Sequence, residues 1–149
     1  MNDTYFGTYK GTNNRQAIGY SEGGIRDVKY DYANVAGAGG ISSSAEDMLK
    51  YNDALLTNKL MPKVAMDTMM KTRVEFKDYK AWYDYGWMTD KDWFAASKKH
   101  IITYHPGTDL GFFTMFVQEP VTDTCIILLN NTGDFPRYDL TDMILNILN

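Results

Sequence analysis

Tyr104-His105-Pro106-Gly107-Thr108-Asp109-Leu110-Gly111-Phe112 is the stretch from which the fold can be read. A histidine closes the strand-like run Ile101–His105, and a glycine two positions later would let another segment approach the backbone closely. A second glycine then reopens the alternation, which continues as Gly111-Phe112-Phe113-Thr114-Met115-Phe116-Val117. A lone histidine at a strand end has two readings, a hydrogen-bonded turn residue or a functional group, and the residues alone favour the first.

Working outward, Pro120 breaks the alternation, and Asp123–Leu129 is a further strand, apolar enough to be buried on both faces. Asn130-Asn131-Thr132-Gly133 is a turn. Tyr138–Leu148 reads as a closing helix with Leu140, Met143, Ile144, Ile147 and Leu148 on one side. Upstream, Tyr83–Met88 is strand-like. Before it, Pro62 opens a helix over roughly 62–71 whose Val64, Met66, Met69 and Met70 read as core packing. An earlier helix starts after Ile41-Ser42-Ser43-Ser44, where Ser43 or Ser44 can accept from free N–H groups and Glu46 and Asp47 suit the positive end. Its expected buried face is Ala45, Met48, Leu49, Asn52, Leu55 and Leu56, and Asn58 marks its end. Gly37-Ala38-Gly39-Gly40 is a tight turn, and residues 1–36 are extended or irregular, with short strands near Gln16–Tyr20 and Val28–Tyr32. Helices, then an antiparallel meander, then a helix make an α+β pattern.

At 149 residues the chain has room for one ordinary core. A net charge of -4 with no Lys/Arg stripe argues against nucleic acid as a partner. The longest strictly apolar run, Cys125-Ile126-Ile127-Leu128-Leu129, is far too short to span a bilayer, and Met1-Asn2-Asp3-Thr4-Tyr5-Phe6 lacks the pattern of a signal peptide. Cys125 is the single cysteine, so an internal disulfide is ruled out. With only His100 and His105, no His-Glu-x-x-His and no paired cysteines, neither a zinc site nor any other metal site is expected, and the glycines make no dinucleotide or phosphate loop. None of Ser21, Ser42, Ser43, Ser44 and Ser97 has a lysine three residues later or sits in a Gly-x-Ser-x-Gly elbow. Thr68-Met69-Met70-Lys71 has that spacing, but on a threonine in a helix of core methionines. No nucleophile is self-evident.

His105-Pro106-Gly107-Thr108-Asp109-Leu110-Gly111-Phe112 resembles the His-x-Gly-Gly-Thr-x-Gly-Phe segment of the β-lactamase family in its broad sense. That group includes class C β-lactamases, D-Ala-D-Ala carboxypeptidases and family VIII-type esterases, and in it this segment is the third active-site motif. Further stretches are similar in the family's order. They are Met1-Asn2-Asp3-Thr4, Ile18-Gly19-Tyr20, Ala38-Gly39-Gly40-Ile41-Ser42-Ser43-Ser44-Ala45-Glu46-Asp47-Met48, Tyr83-Asp84-Tyr85-Gly86-Trp87 and Ile127-Leu128-Leu129-Asn130-Asn131. The resemblance covers nearly the whole chain. It implies the C-terminal portion of a β-lactamase/transpeptidase-like fold, a single partial domain over 1–149, with the family's Ser-x-x-Lys and Tyr-x-Asn motifs lying upstream. Tyr32-Ala33-Asn34 has the letters of the latter but lies downstream of the Met1–Thr4 segment, so it is taken as coincidence.

By resemblance, a serine would attack an acyl carbonyl, and the N–H of Thr108, just after Gly107, would be one of two oxyanion donors. His105 stands where many relatives carry lysine, to steer a carboxylate or hydrogen-bond a catalytic tyrosine. Being only partly charged at neutral pH, it tilts the expected activity toward ester or peptide substrates. Pro106, Asp109 and Tyr85 are the expected substrate-side residues. Pro106 departs from the usual Thr/Ser, and the segment's second glycine is absent. The expected substrate is a small acyl compound, with no cofactor. The strand Asp123–Leu129 is expected to lack a neighbour and to invite a homodimer. Relatives are often exported, but the compartment of this chain stays open. Two other readings remain: a peptide- or sugar-binding module using Tyr83, Tyr85, Trp87 and Tyr104 as a cleft wall, or an enzyme completed by a separate chain.

Overall fold

A computed structural model describes residues 1–7, 16–21, 24–25, 35–71 and 74–148. The strand expected at Val28–Tyr32 and the Tyr32-Ala33-Asn34 triplet lie outside the described residues.

The chain forms the α+β order read from its sequence. Short strands β1 (Tyr5–Phe6), β2 (Tyr20–Ser21), β3 (Gly24–Ile25) and β4 (Ile41–Ser42) precede helices α1 (Ala45–Leu56) and α2 (Lys63–Met69). Strands β5 (Val74–Phe76), β6 (Ala81–Asp84), β7 (Trp87–Asp90), β8 (Thr103–Asp109), β9 (Phe112–Glu119) and β10 (Thr124–Asn130) follow, and α3 (Arg137–Leu148) closes the chain. These last six strands form one sheet in the order β10-β9-β8-β7-β6-β5, every neighbouring pair antiparallel. β1 pairs with β4 and β2 with β3 in separate two-stranded ribbons.

The stretch Tyr83–Met88, expected as one strand, is a hairpin. Tyr85 and Gly86 both have positive φ (40° and 86°), as a two-residue type I′ turn requires, so the chain reverses where the alternation continues in the letters. β5 was not anticipated, because Val74-Glu75-Phe76 is exposed throughout and too short to show a period.

The sheet is covered on both faces, which is why β10 is apolar at successive positions. One face carries Ala81, Met88, Tyr104, Met115, Val117 and Ile126, packed with Phe94, Ile102 and Leu145 of α3. On the other, Trp87, Phe116, Cys125 and Ile127 meet Met48, Tyr51 and Leu55 of α1, Met66 and Met69 of α2, and Met70 just beyond it. The methionines are core, as expected. Val64, grouped with them in the sequence, is exposed.

Both long helices bury a stripe displaced from the expected one. In α1, Asn52 and Leu55 are buried as expected, but Ala45, Leu49 and Leu56 are exposed and Asp47 is buried instead. Asn52 turns inward because its Oδ1 accepts from Gln118 Nε2 at 2.6 Å, which joins α1 to β9 through two buried amides. In α3, Thr141 and Leu145 are buried, and Met143, Ile147 and Leu148 face outward. Ser44 caps α1 by accepting from Asp47 N at 3.2 Å, and Asn58 takes the left-handed conformation just beyond its end. Pro62 sits at the cap of α2, one residue before the expected position. Among the described residues no helix is long and apolar enough to cross a membrane.

Candidate active site

His105, Pro106, Gly107, Thr108 and Asp109 are consecutive in β8 and pair with Phe116, Met115, Thr114, Phe113 and Phe112 of β9. On its other side β8 pairs with β7 only at Thr103 and Tyr104. From His105 onward it therefore runs past β7 with β9 as its one strand neighbour among the described residues.

Gly107 is set by a side chain rather than by a passing segment. A Cβ added there would lie 2.2 Å from Thr114 Oγ1, so the threonine hydroxyl occupies the space a side chain would need. The close backbone approach falls instead at Gly111 (φ 74°), whose added Cβ would lie 2.5 Å from Tyr20 N. The Ile18-Gly19-Tyr20 segment thus crosses the β8–β9 hairpin tip. It is tied there by Asn131, whose Nδ2 donates to Ile18 O at 2.9 Å and whose carbonyl accepts from Tyr20 N at 2.8 Å.

His105 is half-buried, with Nε2 3.4 Å from the Tyr83 hydroxyl. Burial pushes its pKa down; a backbone hydrogen bond at Pro106 opposes this, and the Arg137 cation pushes the same way as burial. The ring is consequently neutral near pH 7, able to exchange a hydrogen bond with a hydroxyl but weak as a carboxylate anchor. Asp109 ends β8 with Oδ1 accepting from Leu110 N at 2.7 Å. Tyr85 lies elsewhere, at the tip of the β6–β7 hairpin, 65% exposed.

Arg137, the first residue of α3, was missed in the sequence. Its Nη1 donates to Gly107 O at 2.5 Å and lies 3.5 Å from Thr114 O, and its guanidinium is 5.6 Å from the centroids of the Phe113 and Tyr138 rings. A cation at a helix N-terminus opposes the macrodipole, and that misplacement is the signal that could have found it. A hollow of about 290 Å³ opens beside it, with Trp93, Phe113 and Tyr138 in its lining.

The aromatic cleft wall does not form. Tyr104 is fully buried and Trp87 is 7% exposed, each in a core cluster. The serine hydroxyls with described bonds are structural: Ser44 caps α1, Ser43 Oγ meets Thr4 Oγ1 at 2.8 Å, Ser42 donates to Gly7 O, and Ser97 donates to Phe94 O. Among the described residues, no three His, Cys, Asp or Glu side chains converge as a metal site. Burial pushes the Cys125 thiol up to about 11, so it is protonated at neutral pH and a poor nucleophile.

Two further segments noted in the sequence meet at α1. Asp47 accepts from Asp3 N at 2.7 Å and Thr4 Oγ1 at 3.0 Å, and Lys50 Nζ lies 2.6 Å away. Their pairing is architectural, fastening the first residues to the helix entrance.

The profile of the Beta-lactamase family matches residues 1–147. The chain belongs to the β-lactamase family. Solved structures that share its fold include the following three. A penicillin-binding protein from Bacillus halodurans is 19% identical with a TM-score of 0.75, over 97% of this chain and 44% of that one. A class C β-lactamase from Rhodobacter sphaeroides is 18% identical with a TM-score of 0.74, over 99% and 50%. A D-stereospecific amidohydrolase from Streptomyces sp. is 22% identical with a TM-score of 0.73, over 95% and 43%. The chain spans half or less of the length of these β-lactamase-fold proteins. No curated protein matches it.

Proposed function

We propose that this chain supplies one wall of the active site of a β-lactamase-like serine hydrolase, a partial domain inactive alone. The attacking serine, within a Ser-x-x-Lys segment, and the Tyr-x-Asn segment would come from sequence outside these 149 residues. The carrying observation is the Gly107–Thr108 peptide, on the part of β8 that runs past β7. In that role the serine oxygen adds to an acyl carbonyl, the carbonyl oxygen becomes an oxyanion, and the Thr108 N–H is one of its two donors. Collapse expels the amine or alkoxide, and water then releases the acid. His105, kept neutral by burial and bonded to Tyr83, supports ester or peptide substrates over β-lactams that need a fixed cation for their carboxylate. Pro106, Asp109 and Tyr85 are the proposed substrate-side residues, with Pro106 contributing neither hydroxyl nor N–H.

Intact-mass spectrometry with a penicillin and an activated ester tests this. The chain alone should gain no acyl group, and the chain joined to a family segment carrying Ser-x-x-Lys should gain one, on the added serine. Stoichiometric acylation of the chain alone overturns the proposal. We also propose that β10, paired only with β9 among the described residues, is the edge through which two copies associate.

A further inference from the structure

We infer that Arg137 is a positioning residue for the Gly107–Thr108 peptide, fixing its plane and strengthening its N–H as a donor. The inference rests on the hydrolase reading, in which that N–H meets the oxyanion.

The carbonyl of Gly107 and the N–H of Thr108 belong to one peptide unit, and in a trans peptide they point in opposite directions. Arg137 Nη1 is within reach of both Gly107 O and Thr114 O, which places the Gly107 carbonyl on the β9 side of β8. The Thr108 N–H is thereby aimed the other way, toward the side where pairing with β7 has ended. A charge-assisted bond to the carbonyl oxygen draws electron density from the peptide and polarises the N–H at its far end. The guanidinium itself is flanked by the Phe113 and Tyr138 rings, and Arg137 is the first residue of α3. A backbone donor near a hairpin tip is thus braced through Gly107 O by a side chain 30 residues beyond Gly107 in sequence.

NMR of the full chain, labelled with 13C and 15N, reads this directly. In Arg137→Met, the Gly107 carbonyl carbon and the Thr108 amide nitrogen and proton should all move upfield, while the amides of Met115 and Val117 hold their positions. Arg137→Lys should restore part of the shift, since it keeps a cation but loses the planar fork. Unmoved Gly107 and Thr108 resonances in a folded Arg137→Met protein would overturn the inference, as would shifts spread evenly over β9 and α3. Should Arg137→Met fail to fold, the wild-type chain decides. Separate, slowly interconverting Nη resonances for Arg137 support the bond, and one averaged resonance sinks it. None of these readouts needs turnover. A failed acylation test with the shifts intact removes the hydrolase reading alone, and absent shifts with successful acylation remove this inference alone.

Discussion

Gly107 shows how a residue's identity can be fixed by its cross-strand partner. The 2.2 Å separation between its added Cβ and Thr114 Oγ1 is far inside contact distance, and the neighbour is a short side chain on a paired strand with little room to give. Gly107→Ala should therefore cost about 1–3 kcal/mol, the range for forcing extra atoms into a filled site. Removing the threonine hydroxyl relieves the clash, because the next contact, Thr114 Cβ, is an ordinary 3.6 Å away. Denaturant unfolding of Gly107→Ala, Thr114→Ala and the double variant should thus show strong positive coupling, the double variant being more stable than Gly107→Ala alone. Additive losses would mean that the glycine is needed for its backbone instead. Tyr104 teaches a related lesson. Beside His105 in the sequence it could be read as core or as a cleft aromatic; it is core, with its hydroxyl buried without a hydrogen-bond partner among the described residues. Alternation along β8 sends neighbouring residues to opposite faces, and the letters alone do not say which face is open.

At the scale of elements, the joint between residues 3–4 and α1 depends on one carboxylate. The Lys50 ammonium, with bonds from Asp3 N and Thr4 Oγ1, lowers the Asp47 pKa to about 2 against the opposing effect of burial. A carboxyl depressed in the folded chain binds protons more readily when unfolded, so stability falls as pH falls. This contribution is whole above the ordinary value of 3.8 and is lost between there and about 2. Urea unfolding from pH 5 to pH 2 should show a loss in the wild type that Asp47→Asn lacks, with the two curves converging at the acid end. Parallel curves would show that Asp47 is not the group being titrated. The ends of α1 were legible in the sequence because caps are local: Ser44 and Asn58 act within a turn of themselves. The buried faces of α1 and α3 were legible only in part. Asn52 and Leu55 are inward as their spacing predicts, but Asp47 is inward because residues 3–4 bond to it and Leu145 because β9 and β10 pack there, and these last two are long-range facts. The β6–β7 turn was hidden for a different reason. Tyr85 occupies a positive-φ position that favours Asn or Gly, so the usual turn letters are missing.

For the molecule as a whole, the family and the order of helices, antiparallel meander and closing helix were legible because they rest on several short segments in sequence order. The geometry joining those segments was not, since Ile18–Tyr20, the Leu110-Gly111 tip and Asn131 meet only in the fold. Among the described residues, the sheet ends on one side at the outer edge of β10. Its seven residues, Thr124–Asn130, carry no charge to deter pairing, and Leu129 is 48% exposed. A symmetric antiparallel pair across this edge would add about seven backbone bonds at roughly 0.5–1.5 kcal/mol each. Association costs about 4–15 kcal/mol in lost freedom, so backbone pairing alone yields a dimer near balance, and burial of flanking side chains decides its strength. The expectation is a concentration-dependent dimer rather than an obligate one. Light scattering across a dilution series should show molecular mass rising from one chain toward two, and Leu129→Lys should shift that rise to higher concentration while leaving thermal unfolding of the dilute protein unchanged. A mass of one chain at every concentration would remove β10 as an association edge. An unchanged dimer in Leu129→Lys would move the contact to another surface, with the exposed Met143 and Ile147 of α3 the next to substitute.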